Sequence, residues 1–501
     1  MTDIFPAEHL PMSYHLLTGA TGLLGNYLLR DLLLHNIPVA VVVRPNRKQT
    51  ARQRIESALC AWDVECGKPL SRPVVMEGDI SQPDLGLDAV DLRWAAEYCS
   101  AVIHNAASLT FHSTSNTGEP WRSNIEGTRN VLDFCRNAGI HKFHHVSTAY
   151  VAGLRQGKVL ETELDVGQQF SNDYESSKLQ SETLVREAEF LDEPTVFRPG
   201  IIIGDSTTGL TTTYHGFYAA LQLVNTIVRS LPTNETGLVG GDKTRLTLAG
   251  DETKHLVPVD WVSAVMTHVI THAKWHGKTY HLTPKHPVTV RLIRDVLEQS
   301  TGFYGASFCG AGERPENASE AEMLFYEHIR VYNSYWKMDP EFDTSNTELA
   351  MPHLPCPHIN RELLLKLSRI AIESGFPTPS KKPNDPDFDA ENHLRPLIDL
   401  AGSITLNDLD ERLLGLDIVG HGGGQWQLVV RGEELISVET GMHADRSATC
   451  RVDIGTYADL VNGRTTWQQA LLTKSAELNG NGRSIAEYAT ILDQLATLSV
   501  K

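Results

Sequence analysis

The chain has 501 residues, of which 41% are hydrophobic, and carries a formal net charge of −18. This length allows roughly two or three domains with a large buried core, and the negative charge argues against nucleic acid or an anionic membrane surface as the main partner. Seven scattered cysteines without a Cys-x-x-Cys pair, no apolar leader before Leu16 and no apolar run of about 18 residues predict a reduced, cytoplasmic protein without signal peptide or transmembrane segment.

The first predicted element is an apolar strand, Tyr14 to Thr18, which leads into a glycine-rich turn and a helix that ends near His35. The glycine spacing is Gly-x-x-Gly-x-x-Gly, which permits a tight turn, close approach of the backbone to a pyrophosphate, and close helix–strand packing. The helix N-terminus offers free N–H groups to phosphates. A dinucleotide site is therefore predicted, rather than an ordinary glycine turn. Its residues are Thr18, Gly19, Thr21, Gly22, Leu23, Leu24 and Gly25.

The second predicted strand, Val39 to Val43, is followed by positively charged side chains rather than by an acid. NAD-specific folds usually place an acidic residue here to hold the ribose hydroxyls. The cations would instead suit a 2′-phosphate, so the pattern favours NADPH, although a basic solvated loop is the simpler alternative. These cations are Arg44, Arg47, Lys48 and Arg54.

Two further strands, Val74 to Met76 and Ala101 to His104, each end in small or polar residues. Asn105, Ala106 and Ala107 follow the second of them, and their small size lets the backbone approach a cofactor. A segment with helical periodicity, Trp121 to Ala138, comes next and carries Asn124.

The fifth predicted strand, Phe143 to Val146, leads into Ser147 and Thr148, and the next helix, Asp173 to Leu191, carries Tyr174 and Lys178. Tyr174 and Lys178 lie four residues apart and so share one helix face. A lysine beside a phenol favours the phenolate and lowers its pKa, which suits proton exchange with a carbonyl oxygen. This spacing alone also fits a solvated helix face. His141, His144 and His145 have no carboxylate or cysteine at ligand spacing, so no metal site is predicted.

A sixth strand, Thr195 to Phe197, precedes Arg198-Pro199-Gly200-Ile201. Strands that alternate with helices predict an α/β fold: a Rossmann-type, doubly wound parallel sheet with its ligand at the carboxyl ends of the strands. With the glycine motif and Tyr174-x-x-x-Lys178, this part of the chain resembles the extended short-chain dehydrogenase/reductases.

The resemblance implies roles for individual residues. Thr148, counted back from Gly153, occupies the catalytic hydroxyl position, with Ser147 as the lesser candidate because strand neighbours point to opposite faces. Tyr174 would be the proton donor, Lys178 would hold the ribose and tune Tyr174, and Asn124 would hold a water in the proton path. The implied cofactor contacts outside the glycine turn are Arg44, Arg54, Asp79, Ile80, Asn105, Ala106, Ala107, Tyr174, Lys178, Pro199, Gly200 and Ile201.

Further motifs resemble the thioester-reductase and fatty-acyl-CoA-reductase branch, also called the male-sterility branch. They are Arg44-Pro45 with Ala51-x-x-Arg54, the run from His145 to Val151, and the run from Arg198 to Gly209. The branch implies reduction of a lipid-like or polyketide-like acyl thioester, bound to CoA or to a carrier protein, to an aldehyde or alcohol. Two alternatives remain open: oxidoreduction of a ketone or secondary alcohol on a lipid, polyketide or sterol, and a lipid-binding protein with a vestigial reductase domain.

The predicted division is a reductase domain over residues 1–376, with a substrate subdomain mainly in 201–376, a proline-rich linker over 377–391, and an α+β domain over 392–501. Strand-like runs from 422 to 454, two short helical segments and Gly-Gly-x-Trp, Ala444-Asp445 and Leu460-Val461-Asn462-Gly463 resemble the sterol-carrier-protein-2 (SCP2) domain. The resemblance implies that this domain binds acyl or sterol chains, and its sequence shows no catalytic constellation. We therefore expect it to bind the apolar part of the substrate or to hold the substrate near the reductase mouth. A dimerisation module, and hence a homodimer, is the alternative.

Overall fold

The structure is a computed structural model that describes residues 13–495, except 114, 116, 231–238, 311–316, 319–321, 324–325, 327–335, 378–384, 402–410, 433, 444–445, 481–487 and 489–490. The predicted Ala444-Asp445 signature, residues 1–12 and residues 378–384 of the proline-rich linker therefore lie outside the described residues. No helix in the described part of the chain is long and apolar enough to cross a bilayer.

The strands, in chain order, are β1 (Tyr14–Thr18), β2 (Val39–Val43), β3 (Val74–Glu77), β4 (Cys99–His104), β5 (Lys142–Val146), β6 (Lys158–Val159), β7 (Thr195–Pro199), β8 (Ile201–Ile203), β9 (Val239–Leu246), β10 (Thr253–Lys254), β11 (Leu256–Pro258), β12 (Thr279–Leu282), β13 (Val288–Thr289), β14 (Phe303–Phe308), β15 (Glu341–Phe342), β16 (Glu411–Val419), β17 (Gly424–Arg431), β18 (Glu434–Thr440), β19 (Ala448–Asp453) and β20 (Ala476–Gly480).

The α-helices are α1 (Leu23–Leu34), α2 (Ala51–Cys66), α3 (Ala89–Tyr98), α4 (Gly127–Ala138), α5 (Asp173–Arg186), α6 (Phe217–Ser230), α7 (Val259–Thr271), α8 (Val290–Thr301), α9 (Ser345–Ala350), α10 (Arg361–Ser374), α11 (Ala390–Ala401), α12 (Ile454–Val461) and α13 (Trp467–Leu472). A π-helical turn, Arg122–Glu126, precedes α4, and short 3₁₀ turns lie at Pro83–Gly86, Ala149–Ala152 and Ala273–Trp275.

Seven parallel strands form the central sheet in the order β12-β7-β5-β4-β1-β2-β3. The chain adds strands outward from β1 in one direction and then, from β4, in the other. The order reverses between β1 and β4, where ligands bind in doubly wound folds. The α/β prediction, with a Rossmann-type parallel sheet, is confirmed.

Both faces of this sheet are covered, because successive strand residues point to opposite sides. In β1, Leu17 faces one apolar cluster, with α1, α2 and α7, and Leu16 faces another, with α3 and α4. The apolar strand runs of the sequence are therefore buried on both faces, as expected for a parallel sheet.

The segment 201–376 does not form the substrate subdomain alone. Strand β12 joins the central sheet beside β7, and the apolar helix α7 packs against α1 in the same core as β2. The rest builds a separate layer, in which α6, α8 and α10 enclose their own apolar cluster. The predicted boundary at 201 is thus too early for the Rossmann part, because residues 256–282 return to complete it.

The C-terminal domain contains a five-stranded sheet of order β18-β17-β16-β19-β20, mainly antiparallel with a parallel β16–β19 pair. Its apolar core is closed by α11, α12 and α13. Helix α11 begins at Ala390, so the end predicted for the linker, residue 391, lies inside the helix. The sequence pattern also missed the central strand β16.

The C-terminal domain contacts the amino ends of the central strands and the helices beside them. The Tyr14 hydroxyl donates to Gln425 Oε1 at 2.8 Å and accepts from the Met442 N–H at 3.0 Å. Trp94 of α3 donates its indole N–H to the Thr440 carbonyl at 2.7 Å. The cofactor residues predicted above lie at the opposite, carboxyl ends of the same strands. These contacts do not place the C-terminal domain at the mouth of the reductase cleft.

Candidate active site

The turn between β1 and α1 requires glycine for close packing. Gly19 has a φ of +74°, and a Cβ there would come within 2.7 Å of the Ala106 nitrogen. At Gly25 a Cβ would lie 2.0 Å from the Gly19 carbonyl oxygen. Gly22, by contrast, faces more open space and is the N-cap of α1 with no side chain bonded to the helix N-terminus. The first N–H groups of α1 are therefore available to an anion.

A hydroxyl network fixes this turn against the end of β4. The Thr18 hydroxyl accepts from the backbone N–H groups of Asn105 and Ala106, each at 3.2 Å, and lies 2.9 Å from Nδ1 of buried His104. The Asn105 amide donates to the Gly19 carbonyl at 3.2 Å. Burial lowers the pKa of His104 to about 3, so its imidazole is neutral and serves this network.

The basic residues after β2 divide into two groups. Arg44 and Arg54 line the cleft beside the glycine turn, whereas Arg47 and Lys48 are exposed and outside that lining. Arg54 donates to Thr21 Oγ1 at 2.8 Å and also to the Arg44 carbonyl, so it links the glycine turn to the end of β2. Arg44 lies 3.5 Å from the Asp79 carboxylate.

Ser147 and Thr148 both border the cleft at the end of β5, but only Thr148 bonds to the other reactive groups. Its hydroxyl donates to the Pro199 carbonyl at 3.4 Å and accepts from the Tyr150 N–H at 3.3 Å, and it also hydrogen-bonds to Tyr174. The Ser147 hydroxyl is instead buried beside Glu182, where it helps to lower the pKa of that carboxyl group.

Tyr174 and Lys178 lie on one face of α5, as their spacing predicts, and both border the cleft. Lys178 is buried and donates to the Val146 carbonyl at 2.8 Å. The expected lowering of the Tyr174 pKa by Lys178 is not found. Burial raises the pKa of Tyr174 to about 12, opposed in part by the Thr148 bond, and burial lowers the pKa of Lys178 to about 8. At neutral pH Tyr174 is thus a neutral phenol, the form that can donate a proton.

These residues surround one cavity of about 500 Å³ at the carboxyl edge of the sheet. It also includes Leu23, Leu24, Ile80, Ala107, Gly200 and Ile201 of the predicted cofactor residues. Thr18, Gly25 and Asn124 are not among its lining residues. Thr18 and Gly25 instead hold the glycine turn in place, Thr18 through its hydroxyl bonds to Asn105 and Ala106 and Gly25 through its close packing against Gly19.

The reductase part of the chain matches a family model described as "Male sterility protein" over residues 17–266. The nonribosomal peptide synthetase asaC of Aspergillus flavus is 25% identical over 285 residues, covering 54% of this chain and 26% of that protein. The aldehyde reductase lnaA of the same fungus is 25% identical over 407 residues, covering 74% of this chain and 37% of that protein. The chain thus spans only 26% to 37% of the length of these two curated relatives.

Among solved structures, the terminal reductase domain of the myxalamid polyketide–peptide biosynthetic pathway superposes with a TM-score of 0.58. That match covers 76% of this chain and 97% of the other, at 24% identity. Residues 17–266 are an NAD(P)-binding domain of the extended, thioester-reductase-like short-chain dehydrogenase/reductases. This domain is of the NAD(P)-dependent oxidoreductase class.

A nicotinamide dinucleotide fits the residues present in this reductase domain. The uncapped α1 N-terminus at Gly22 would hold the pyrophosphate, and Asp79 and Ile80 lie where β3 ends beside the cleft. Tyr174 and Lys178 border the same cavity at the end of β5. The dinucleotide fits because hydrogen-bond donors and uncovered backbone groups follow the strands in the order typical of a dinucleotide-binding fold.

Asn124 lies outside the cavity lining. It is buried in the π-helical turn before α4, where its amide donates to the Ser108 carbonyl at 3.1 Å and to Ser177 Oγ at 2.8 Å. Its oxygen accepts from the Ser108 N–H at 2.7 Å. The side chain therefore ties the loop after β4 to α5, rather than facing the cavity.

Sequence reasoning missed several residues that line this cavity. Tyr150, two residues after Thr148, donates its hydroxyl to the Asp339 carboxylate at 2.7 Å, and Asp339 is also paired with buried Lys254 at 2.6 Å. Glu175 follows Tyr174, and burial raises its pKa to about 7, opposed by a bond from the Ser171 N–H. Tyr150 and Glu175 could have been found because they lie close to Thr148 and Tyr174 in the sequence. Asp339 is too distant in the sequence to be linked to either of them.

The three histidines near β5 have different surroundings, because His141 is exposed and its Nδ1 lies 2.7 Å from the Phe190 carbonyl oxygen. His144 and His145 are fully buried, and burial holds their pKa values well below the usual range. His144 packs edge-on against His276, with ring centroids 4.8 Å apart. Among the described residues, none of the three belongs to a group with metal-ligand geometry.

Proposed function

We propose that this chain uses NADPH to reduce a lipid-like or polyketide-like acyl thioester, carried by CoA or by a carrier protein, to an aldehyde. The observation that carries the proposal is the meeting of Thr148, Tyr174 and Lys178 at the cavity that contains the glycine turn. Similarity to a nonribosomal peptide synthetase and to the terminal reductase domain of a polyketide–peptide pathway supports a carrier-bound substrate.

The proposed roles follow from the geometry. The bound nicotinamide would supply a hydride to the acyl carbon. Thr148 holds the carbonyl oxygen, and Tyr174 donates the proton that this oxygen takes up. One NADPH and one proton thus convert the thioester to an aldehyde and a free thiol, and a second round would give the alcohol. Lys178, fixed by the Val146 carbonyl, holds the ribose hydroxyls beside Tyr174.

The preference for NADPH is supported by Arg44 and Arg54. Both guanidinium groups border the cavity at the carboxyl end of β2, where a ribose 2′-phosphate would lie. Arg54 is already positioned by Thr21 and by the Arg44 carbonyl. A planar, pre-positioned guanidinium suits bidentate phosphate recognition.

The deciding experiment follows NADPH oxidation with acyl-CoAs, acyl-carrier thioesters, long-chain aldehydes and sterol ketones as separate substrates. Thioester reduction is expected to release one thiol for each aldehyde formed, measured by thiol titration and mass spectrometry. Turnover of ketones or secondary alcohols without thioester turnover would establish the alternative oxidoreductase. Binding of acyl chains without any turnover would establish a lipid-binding protein with an inactive reductase domain.

We further propose that the C-terminal domain is an SCP2-like module that binds the apolar part of a lipid. Its support is the five-stranded sheet and the large apolar cluster that α11, α12 and α13 close. Since its contacts lie at the amino ends of the central strands, lipid bound there is stored apart from the reductase cavity. A fluorescent fatty acid should bind the full chain with unchanged affinity when NADPH is saturating. Competition between the two ligands would contradict separate sites.

A further inference from the structure

A cysteine, a glutamate and a histidine meet where the C-terminal domain contacts the reductase domain. Glu56 and Cys60 lie one turn apart on α2, and His421 lies in the turn between β16 and β17. One ligand atom of each lies within 4.8 Å of the other two. Among the described residues, this is the one group of such side chains with metal-ligand spacing.

The geometry needs only small side-chain movements to hold a metal ion. The Cys60 Sγ and Glu56 Oε2 atoms are 3.9 Å apart. Zinc bonds of about 2.3 Å to sulfur and about 2.0 Å to nitrogen or oxygen place tetrahedral ligand atoms roughly 3.5 Å apart. Residues four apart on a helix face the same side, so Glu56 and Cys60 can both reach one ion while His421 approaches from the other domain.

The backbone holds His421 in place. Gly420 and Gly422 flank it with φ values of +99° and +93°, and the Gly423 N–H donates to the Gly420 carbonyl at 2.9 Å. The Gly420 N–H donates to the Leu70 carbonyl of the reductase domain at 3.2 Å. A Cβ at Gly422 would lie 2.1 Å from the Phe388 carbonyl oxygen, so the turn is closely packed on its other side.

The charged side chains in and around the group of Glu56, Cys60 and His421 would neutralise a divalent cation. Arg72 Nε lies 3.2 Å from both carboxylate oxygens of buried Glu56, while its terminal nitrogens pair with Asp63 at 2.6 and 3.1 Å. Arg72 and Asp63 together are neutral. A cation of charge +2 would be neutralised by the Cys60 thiolate and the Glu56 carboxylate, with Arg72 orienting Glu56 as outer-shell partners do.

We propose that Glu56, Cys60 and His421 bind one zinc ion that joins the C-terminal domain to the reductase domain. Cys60 binds as the thiolate and releases its proton to solvent, His421 binds through a neutral imidazole nitrogen, and a water completes the tetrahedron. The ion would lie between α2 and the turn that carries His421, and none of its three ligands borders the reductase cavity. It has a structural role, independent of the proposed reaction.

The test uses the full chain without an affinity tag, loaded with one equivalent of Zn²⁺, dialysed and analysed by elemental mass spectrometry. Wild type is expected to retain about one zinc per chain. Cys60→Ser and His421→Gln should each weaken zinc binding by more than the roughly 10–100-fold that loss of an outer-shell partner causes. Cys66→Ser, a half-buried cysteine on the same helix outside the group, is the matched control and should bind zinc as wild type does.

Two readouts distinguish a metal site from a packing role. Co²⁺ should give wild type a thiolate-to-metal absorption band that Cys60→Ser lacks, and Zn²⁺ should raise the melting temperature of wild type and Cys66→Ser by at least about 2 °C, but not that of His421→Gln. Wild type that retains no zinc, or equal zinc in wild type and Cys60→Ser, would overturn the proposal. Circular dichroism of each variant establishes that lost binding is not lost folding.

Discussion

The two edges of the central sheet are built in opposite ways. At the carboxyl edge the strands end in small residues and in backbone N–H groups that no side chain caps, such as those at the N-terminus of α1 after Gly22. At the amino edge polar groups are paired across the domain boundary. Ser71 donates to Asp417 at 2.9 Å, and Arg451 lies 3.3 Å from the same carboxylate.

The carboxyl edge is thus suited to bind a ligand, and the amino edge holds the two domains together. Tyr14 and Thr18 are the first and last residues of one five-residue strand, so the two edges are roughly 13 Å apart. One edge leaves donors free for a ligand, whereas the other uses its donors to hold a second domain. Changes at the carboxyl edge should therefore alter turnover, and changes at the amino edge should alter stability. Three substitutions test this division, and a fourth tests the buried ion pair beneath the cavity.

The largest effect is expected for Tyr174→Phe, which removes the proposed proton donor but leaves the glycine turn intact. Turnover should fall by roughly 10²–10⁴-fold, the usual contribution of a positioned acid, while the Kd for NADPH measured by fluorescence titration changes little. Tyr150→Phe is the matched control, because it removes a neighbouring phenol that bonds Asp339, and it should lose far less. Comparable losses in the two variants would refute the proton-donor role.

The next effect is on stability beneath the cavity. Glu182 is fully buried and accepts from Arg198 at 2.7 and 3.0 Å, so Glu182→Gln should destabilise the chain by about 3–5 kcal/mol in urea unfolding. Burial opposes the charged form, but Arg198 and Arg186 outweigh it and hold the pKa of Glu182 at about 2. The stabilisation is thus present above pH 4.5 and is lost as the pH falls from 4.5 toward 2. Exposed Glu189→Gln should show neither effect.

At the amino edge, Tyr14→Phe leaves Gln425 and the Met442 N–H without their buried partner. Unfolding in urea should show a loss of about 1–3 kcal/mol, with kcat and KM unchanged at 25 °C. Tyr304→Phe, at an exposed tyrosine, is the control and should change neither quantity. A lowered kcat in Tyr14→Phe would show that the two edges are coupled.

The smallest effect is expected for Arg44→Asp. It replaces a cation proposed to face the 2′-phosphate, so the ratio of kcat/KM for NADPH over NADH should fall by about tenfold or more, the value of one charge-assisted hydrogen bond. Arg47→Asp makes the same charge change at an exposed residue outside the cavity lining and should leave the ratio nearly unchanged. Equal shifts in both variants would mean that only the general charge of the loop matters.

The central sheet was predictable because its information is local. Most of its strands are short apolar runs, and Gly19, Gly78 and Pro199 mark the ends of β1, β3 and β7. The positions of Tyr174 and Lys178 followed from helical spacing in the same way. Their roles in the reaction stay predictions, as does the cofactor preference.

What the sequence could not supply depends on distant partners. Strand β16 was missed because Gly415 and Asp417 interrupt its apolar pattern. The buried Asp417 carboxylate is paired with Ser71 and Arg451, which lie far from it in the sequence. The predicted lowering of the Tyr174 pKa was wrong in direction, because the burial that raises this pKa comes from tertiary packing. The bonds that turn Asn124 away from the cavity come from Ser108 and Ser177, which no spacing rule connects to it.

The bond between Tyr14 and Gln425 joins residues 411 positions apart, and this has a consequence for biosynthesis. At about 5–20 residues per second, a ribosome needs roughly 20–80 s to travel from one partner to the other. During that interval the nascent reductase domain presents Trp94 and Tyr98, stacked with ring centroids 5.0 Å apart, without the surface that later covers them. The amino edge of the reductase domain can therefore be completed only after the C-terminal domain has been synthesised.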